Sequence, residues 1–211
     1  MKGESNMIIN ELIEHASAMI QGKKIADVRA GLGYTAVMLE DNACGLAYTF
    51  RNELGYCCGT LGTAGNLIGM NGAEVILWAK ESNRLQAAIG LATLNAVIND
   101  SRKNWDTGNI LDAFSLRESD TFGMVGGFGP ILSKAKSMTK NIYVFEQNVP
   151  AGSEFYPADQ IPQFLPNCDV IVISATSIIN HTIDEVISYC KNARELCIVG
   201  PSTPLCPEVF K

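Results

Sequence analysis

The sequence predicts an α/β protein overall, with an α+β domain over residues 1–106 and a domain built on a parallel sheet over residues 107–211. Three observations carry this reading. Apolar residues near the start recur every three or four positions. Strand-like segments are then grouped before helical ones. From Thr121 onward, near-continuous apolar runs alternate with helical spacing.

Taken in order, Ile9, Leu12, Ile13, Ala16, Met19 and Ile20 mark one face of an amphipathic helix that stops near Gly22. KIADVRAGLGYTAVMLED and GLAYTFRNELGYCC are rich in β-branched and aromatic residues broken by glycine, so they predict about three strands. AEVILWAKES and NRLQAAIGLATLNAVIND return to helical spacing, and SRKNWDTGNILDAFSLRESD reads as a connection. Four strands follow, TFGMVG, NIYVFE, DVIVISA and LCIVG, with helices expected at ILSKAKSM and IDEVISYCKNAR. Apolar runs of this kind, alternating with helices, suit a parallel sheet covered on both faces, which makes the later half Rossmann-like.

Composition narrows the function. Of 211 residues 47% are hydrophobic, and the formal net charge is -6. No basic stripe is present to displace counterions from a phosphate backbone, so nucleic acid is not an expected partner. The greasiest stretch, AAIGLATLNAVI from Ala87, is short and interrupted by Gly90, Thr93 and Asn95, and the first residues lack the pattern of a secretory signal. A soluble cytoplasmic protein without a membrane partner is expected, with its oligomeric state left open, a homo-oligomer included.

Seven cysteines, at 44, 57, 58, 168, 190, 197 and 206, contain no CxxC pair and read as reduced thiols. Only the adjacent Cys57 and Cys58 suggest a soft-metal site, and their spacing matches no standard zinc motif. With His15 and His181 alone, a multi-histidine metal centre is excluded.

In an open parallel sheet, ligands bind beyond the carboxyl ends of the strands. The first such end is GGFGP. Gly126, Gly127 and Gly129 permit close approach by a ligand, and Pro130 starts a helix. Glu146 lies twenty residues after Gly126, about where a dinucleotide fold places the acid that holds ribose hydroxyls. The fingerprint is broken, because Leu132 stands where the third glycine belongs. These residues fit either a cradle for a nucleotide-type ligand, such as S-adenosylmethionine or a dinucleotide, or a tight corner with no ligand.

The third strand end runs into Thr176, Ser177, Asn180, His181 and Thr182, a cluster that could hold a carboxylate or phosphate or could merely cap a helix. Pro201, Ser202 and Thr203 follow the fourth strand as a turn or a ligand clasp. Tyr34, Thr35, Tyr48 and Arg51 are further, weaker candidates in the first half. No P-loop, GxSxG elbow, HExxH helix or EF-hand loop is present.

GLGYTAVML, GLAYTFR, AAIGLATLNAVI, FGMVGGFGP, the FE of VFEQN, DVIVISATSIINHT and GPSTPLCPEVF resemble, in the same order, the heavy-metal chelation family of uncharacterised proteins. The resemblance spans nearly the whole chain. It implies an enolase-N-terminal-like domain, a Rossmann-like domain and a site in an interdomain cleft. Carried over by motif, the cleft residues are Asn95, Gly126, Phe128, Pro130, Glu146, Thr176, Asn180, Thr182, Pro201, Ser202 and Thr203. The implied function is binding or chelation of a heavy metal or a metal-bearing small molecule. A transition metal is the one cofactor the resemblance brings in, and whether the protein is an enzyme stays open.

Overall fold

A computed structural model describes residues 7–54, 59–99, 105–108, 110–113, 115–149 and 151–210. Cys57 and Cys58 lie outside the described residues. The chain forms two compact units. The first comprises Met1–Lys103 with Ala175–Ile183 and Gly200–Lys211, and the second Asn104–Ser174 with Asp184–Val199.

In the first unit, helix α1 (Ile8–Ile20) buries Ile9, Leu12, Ala16 and Ile20 on one face and ends before Gly22, whose φ of +73° suits a residue without a Cβ. Strands β1 (Ile25–Ala30), β2 (Tyr34–Leu39) and β3 (Cys44–Tyr48) form an antiparallel sheet in that order. The glycine-containing turn at residues 31–33 closes the first hairpin.

AEVILWAKES divides into a short helix, α2 (Gly72–Val75), and a 3-10 turn over Ile76–Lys80. Helix α3 (Arg84–Ile98) is capped by Asn83, whose Oδ1 accepts from the amides of Leu85 and Gln86 at 3.0 and 3.1 Å. From Ala87 to Ile98 every residue is buried, which is why its apolar residues run around the whole helix. Each fully buried leucine or isoleucine, such as Leu91, Leu94 and Ile98, contributes roughly 1.5–3 kcal/mol of transfer free energy.

The second unit holds β4 (Thr121–Val125), helix α4 (Gly129–Lys136), β5 (Asn141–Glu146), β6 (Tyr156–Pro157), the short helix α5 (Ile161–Phe164), β7 (Val170–Ser174) and β8 (Glu195–Val199). All sheet pairings are parallel and the order is β6-β5-β4-β7-β8. Counted within the unit this is 3-2-1-4-5, the order of a Rossmann sheet, and it reverses between β4 and β7. Phe122, Met124, Val144, Val170 and Val172 fill the core with Leu116 and Ala135. Tyr143 stacks on Phe164 at 5.0 Å and meets Tyr156 edge-on at 5.3 Å, an aromatic group joining α5 to the β6 edge.

Two short helices follow β7: α6 (Thr176–Ile179) belongs to the first unit, and α7 (Ile183–Ser188) leads back to the second. Helical spacing through Arg194 predicts a longer α7. The chain instead turns after Ser188, whose hydroxyl donates to the Glu185 carbonyl at 2.6 Å. Among the described residues no helix is long and apolar enough to cross a membrane.

One buried acid holds the second unit at the amino end of β4. Asp120 is 4% exposed and takes a forked pair of bonds from Arg194, at 2.7 and 3.3 Å, with a third from the Arg117 amide at 2.7 Å. The Arg194 bond holds its carboxyl below the ordinary value of 3.8. A depressed folded value stabilises above the unfolded one and loses that contribution as pH falls through the folded value. Thermal melts of wild type and Asp120→Asn should therefore differ at neutral pH and converge as pH drops below the ordinary aspartate range. A constant gap across that range would refute the assignment.

Candidate functional site

The carboxyl ends of β4 and β5 carry the first group of predicted residues, all in the second unit. Gly126 continues the β4 ladder, its amide donating to Phe145 O at 2.9 Å, and then adopts φ +86°. A Cβ there would stand 2.7 Å from that of Ser174, so the residue must be glycine on steric as well as torsional grounds. Gly127 donates its amide to Glu146 Oε1 at 2.5 Å, and a Cβ on it would meet that oxygen at 2.9 Å and the Phe155 ring at 3.4 Å.

Phe128 precedes α4 without a side-chain cap, and its ring packs toward the core cluster, so it is a wall residue. Gly129 and Pro130 form the exposed first turn of α4. Leu132 stands on α4 in place of a third glycine, partly buried against the core cluster. A cavity of about 300 Å³ lies beside it, lined by α4, Ile142 and Val144 of β5, and Phe155.

The remaining predicted residues lie in the first unit. Asn95 on α3 is fully buried, and its Nδ2 donates to Leu46 O at 2.8 Å and Ser202 O at 3.1 Å. Two carbonyls can be served only by the amide nitrogen, which fixes the orientation of the group and leaves Oδ1 as a buried acceptor with no partner among the described residues. Ser202 is 1% exposed and accepts from the Tyr48 amide at 2.8 Å. Thr203 folds its hydroxyl onto the Gly200 carbonyl at 2.7 Å, and Pro201 is exposed at the turn.

Thr176 opens α6. Asn180 Oδ1 accepts from the Thr182 hydroxyl at 2.7 Å and from its amide at 3.2 Å. These side chains are engaged with one another. His181 has φ +62°, and its Nε2 bonds the Ala79 carbonyl at 2.9 Å; a carbonyl only accepts, so the proton is on Nε2.

Of the weaker candidates, Thr35 is buried and bonded to Thr49 at 2.9 Å, and Arg51 is exposed in a 3-10 turn. Arg84 is the cation with built surroundings: it bonds Glu53 at 3.0 Å and Ile179 O at 3.3 Å, and lies 6.0 Å from the Phe50 ring centre. Asn99, the residue that ends α3 and not among the predicted site residues, donates to Thr203 O at 2.8 Å and accepts from the Leu205 amide at 2.7 Å. The usable signal was the spacing of Asn95 and Asn99, four apart on a helix otherwise apolar all round.

No three His, Cys, Asp or Glu side chains gather as metal ligands among the described residues. Burial pushes the Cys168 thiol up to about 12 and those of Cys190 and Cys197 to about 11, so these sulfurs stay protonated at neutral pH and are poor metal ligands. A metal caged by these protein side chains alone does not fit the described donor set.

Two family profiles match the chain, at residues 13–98 and 109–211, and both carry the description "Putative heavy-metal chelation". An uncharacterised protein of Methanocaldococcus jannaschii is 30% identical over 98% of this chain and 83% of its own length. The crystal structure of a DUF364-family protein of unknown function from Pyrococcus horikoshii superposes with a TM-score of 0.81 at 26% identity, covering 97% of this chain and 83% of that one. A second protein of that family, from Desulfitobacterium hafniense, gives a TM-score of 0.76 at 25% identity over 94% of this chain and 81% of its own. By sequence over both halves and by fold over nearly its whole length, the chain belongs to the family that the DUF4213 and DUF364 profiles define, both of which carry that one description.

Proposed function

We propose that the protein binds a metal-bearing small molecule at the carboxyl edge of its parallel sheet, with Gly126 to Pro130 as the floor and Glu146 as the recognising acid. The observation that carries this reading is the 2.5 Å bond from the Gly127 amide to Glu146 Oε1. It parks a carboxylate at the mouth of the loop that, in a dinucleotide fold, receives pyrophosphate.

A phosphate placed there would face that charge. At roughly 4 Å, two like charges repel by about 1 kcal/mol in bulk water and about 4 kcal/mol at an effective dielectric of 20. A ligand that presents a cation, a hydroxyl or a metal centre to the carboxylate is favoured instead. The family description supports a metal as part of that ligand, and a metal that arrives already chelated asks for recognition by hydrogen bonds and one charge rather than a complete set of protein ligands.

Calorimetry on the purified chain with transition-metal ions and their small-molecule chelates tests the reading. Heat is expected with a chelate, and Glu146→Ala should weaken binding by about tenfold to a hundredfold, the loss of one charge-assisted contact of roughly 1.5–3 kcal/mol. Silence with both ions and chelates in the wild type removes the proposal.

A second reading is favoured by the strand order together with the position of Glu146 at the end of the unit's second strand, where an acid holds ribose hydroxyls. Between the two nucleotide-type ligands, S-adenosylmethionine suits the site better than a dinucleotide, because it brings no phosphate to the parked carboxylate. A melting shift with S-adenosylmethionine that Glu146→Ala abolishes would establish this reading over the first.

A further inference from the structure

Neighbouring parallel strands are joined by crossovers that ordinarily lay a helix on the sheet, and their right-handedness puts successive ones on the same face when the strands advance in one direction. β4, β5 and β6 advance in this way. The first crossover carries α4, but only nine residues, 147–155, run from β5 to β6, and the described ones form no helix. The strip of β5 beside α4, which a second helix would cover, is left as the cavity of about 300 Å³.

Its lining has an apolar part and a charged one. Ile142 and Val144, two apart on β5, share one face of the strand, and with Leu132 and Phe155 they continue the core of the unit into the cavity. Thr139 lines it too, but its hydroxyl already donates to Asp120 O at 2.6 Å and accepts from the Asn141 amide at 3.2 Å. Polar recognition therefore falls to the exposed rim, where Lys136 lies one helical turn beyond Leu132 and is joined by Lys140 and Glu154.

Two lysines and one glutamate leave the rim with a net charge of +1, in a chain whose own net charge is -6. Lys136 and Glu154 are paired at 3.2 Å, whereas Lys140 makes no ion pair with any described residue. The volume stands at the lower end of the roughly 300–1,000 Å³ of ligand pockets, so the occupant is small. An apolar floor beneath one unpaired cation matches a monoanion with an apolar body. None of Gly126 to Pro130, nor Glu146, lines this cavity, so it is separate from the strand-end loop.

We infer that the recess between α4, β5 and the 147–155 return binds a small aryl- or branched-alkyl carboxylate, its tail against Val144 and Phe155 and its carboxylate at Lys140. Methyl NMR of the full chain, read at Leu132, Ile142 and Val144, tests this. Phenylacetate and isovalerate should each shift these methyls saturably at millimolar concentration. Phenylacetamide, isosteric but uncharged, should bind at least about threefold more weakly than phenylacetate, and inorganic phosphate, a charge without a tail, should leave the methyls unmoved. Lys140→Gln should weaken phenylacetate about threefold to tenfold. Glu154→Gln, which releases Lys136 from its pair, should strengthen it about twofold to fivefold. Both exchanges are at exposed positions, so the readout does not depend on a repacked core. Silence with both carboxylates, equal binding of phenylacetate and phenylacetamide, or indifference to both rim exchanges would each overturn the inference.

Discussion

Gly45→Ala should lower the stability of the first unit by about 3 kcal/mol or more, the upper end of the usual cost of overpacking. A Cβ at residue 45 would stand 2.1 Å from the Ala92 carbonyl oxygen and 2.3 Å from the Ala96 nitrogen. Both are backbone atoms of α3 and cannot rotate aside, so the helix or the strand must move. Since a domain's whole stability is about 5–15 kcal/mol, one methyl group removes a substantial part of it. Gly33→Ala, in the β1–β2 turn of the same sheet, meets nothing within 4 Å and is the matched control. Urea denaturation monitored by circular dichroism should separate the two midpoints clearly. Coincident midpoints would mean that β3 does not lie directly on the α3 backbone.

Asn95→Leu should cost about 2–5 kcal/mol, although it conserves shape. The loss of Nδ2 removes the donor from the buried Ser202 O, and a buried acceptor left without one costs roughly 1–3 kcal/mol, while the part-buried Leu46 O loses its bond as well. Thr93→Val is the control. Its hydroxyl bonds only to the Ile89 carbonyl within its own helix, at 2.8 Å, and that carbonyl keeps its helical partner. Hydrogen exchange supplies the specific readout. The Tyr48 amide is bonded to Ser202 Oγ, so Asn95→Leu should accelerate exchange at Tyr48 beyond the general loss of stability. Unchanged exchange there would separate Asn95 from the 200–205 turn.

The central strand of the later half was legible because burial on both faces demands an unbroken apolar run, and DVIVISA is one; NIYVFE was legible from its β-branched and aromatic residues although β5 is only partly buried. β6 was not, since a two-residue edge strand that includes Pro157 has no periodicity to detect. Gly126 and Glu146 were readable as a pair from their spacing. That the carboxylate bonds the Gly127 amide was not, because spacing does not say which way a side chain turns. Asn180 and Thr182 were readable as polar residues near a helix start, yet their polarity is spent on each other. The family membership was legible from ordered blocks over nearly the full length, a signal independent of any single residue's geometry.

The two returns of the chain to the first unit, at 175–183 and 200–211, set the timetable of its synthesis. Asn95 leaves the ribosome more than a hundred residues before Ser202, so the helix that carries its amide waits through the translation of the entire parallel sheet for its acceptor. The part of the protein made first is thus completed last, and a nascent chain stalled before residue 202 holds a helix whose Asn95 amide has the Leu46 carbonyl but lacks its second acceptor, a place that solvent or a chaperone must fill.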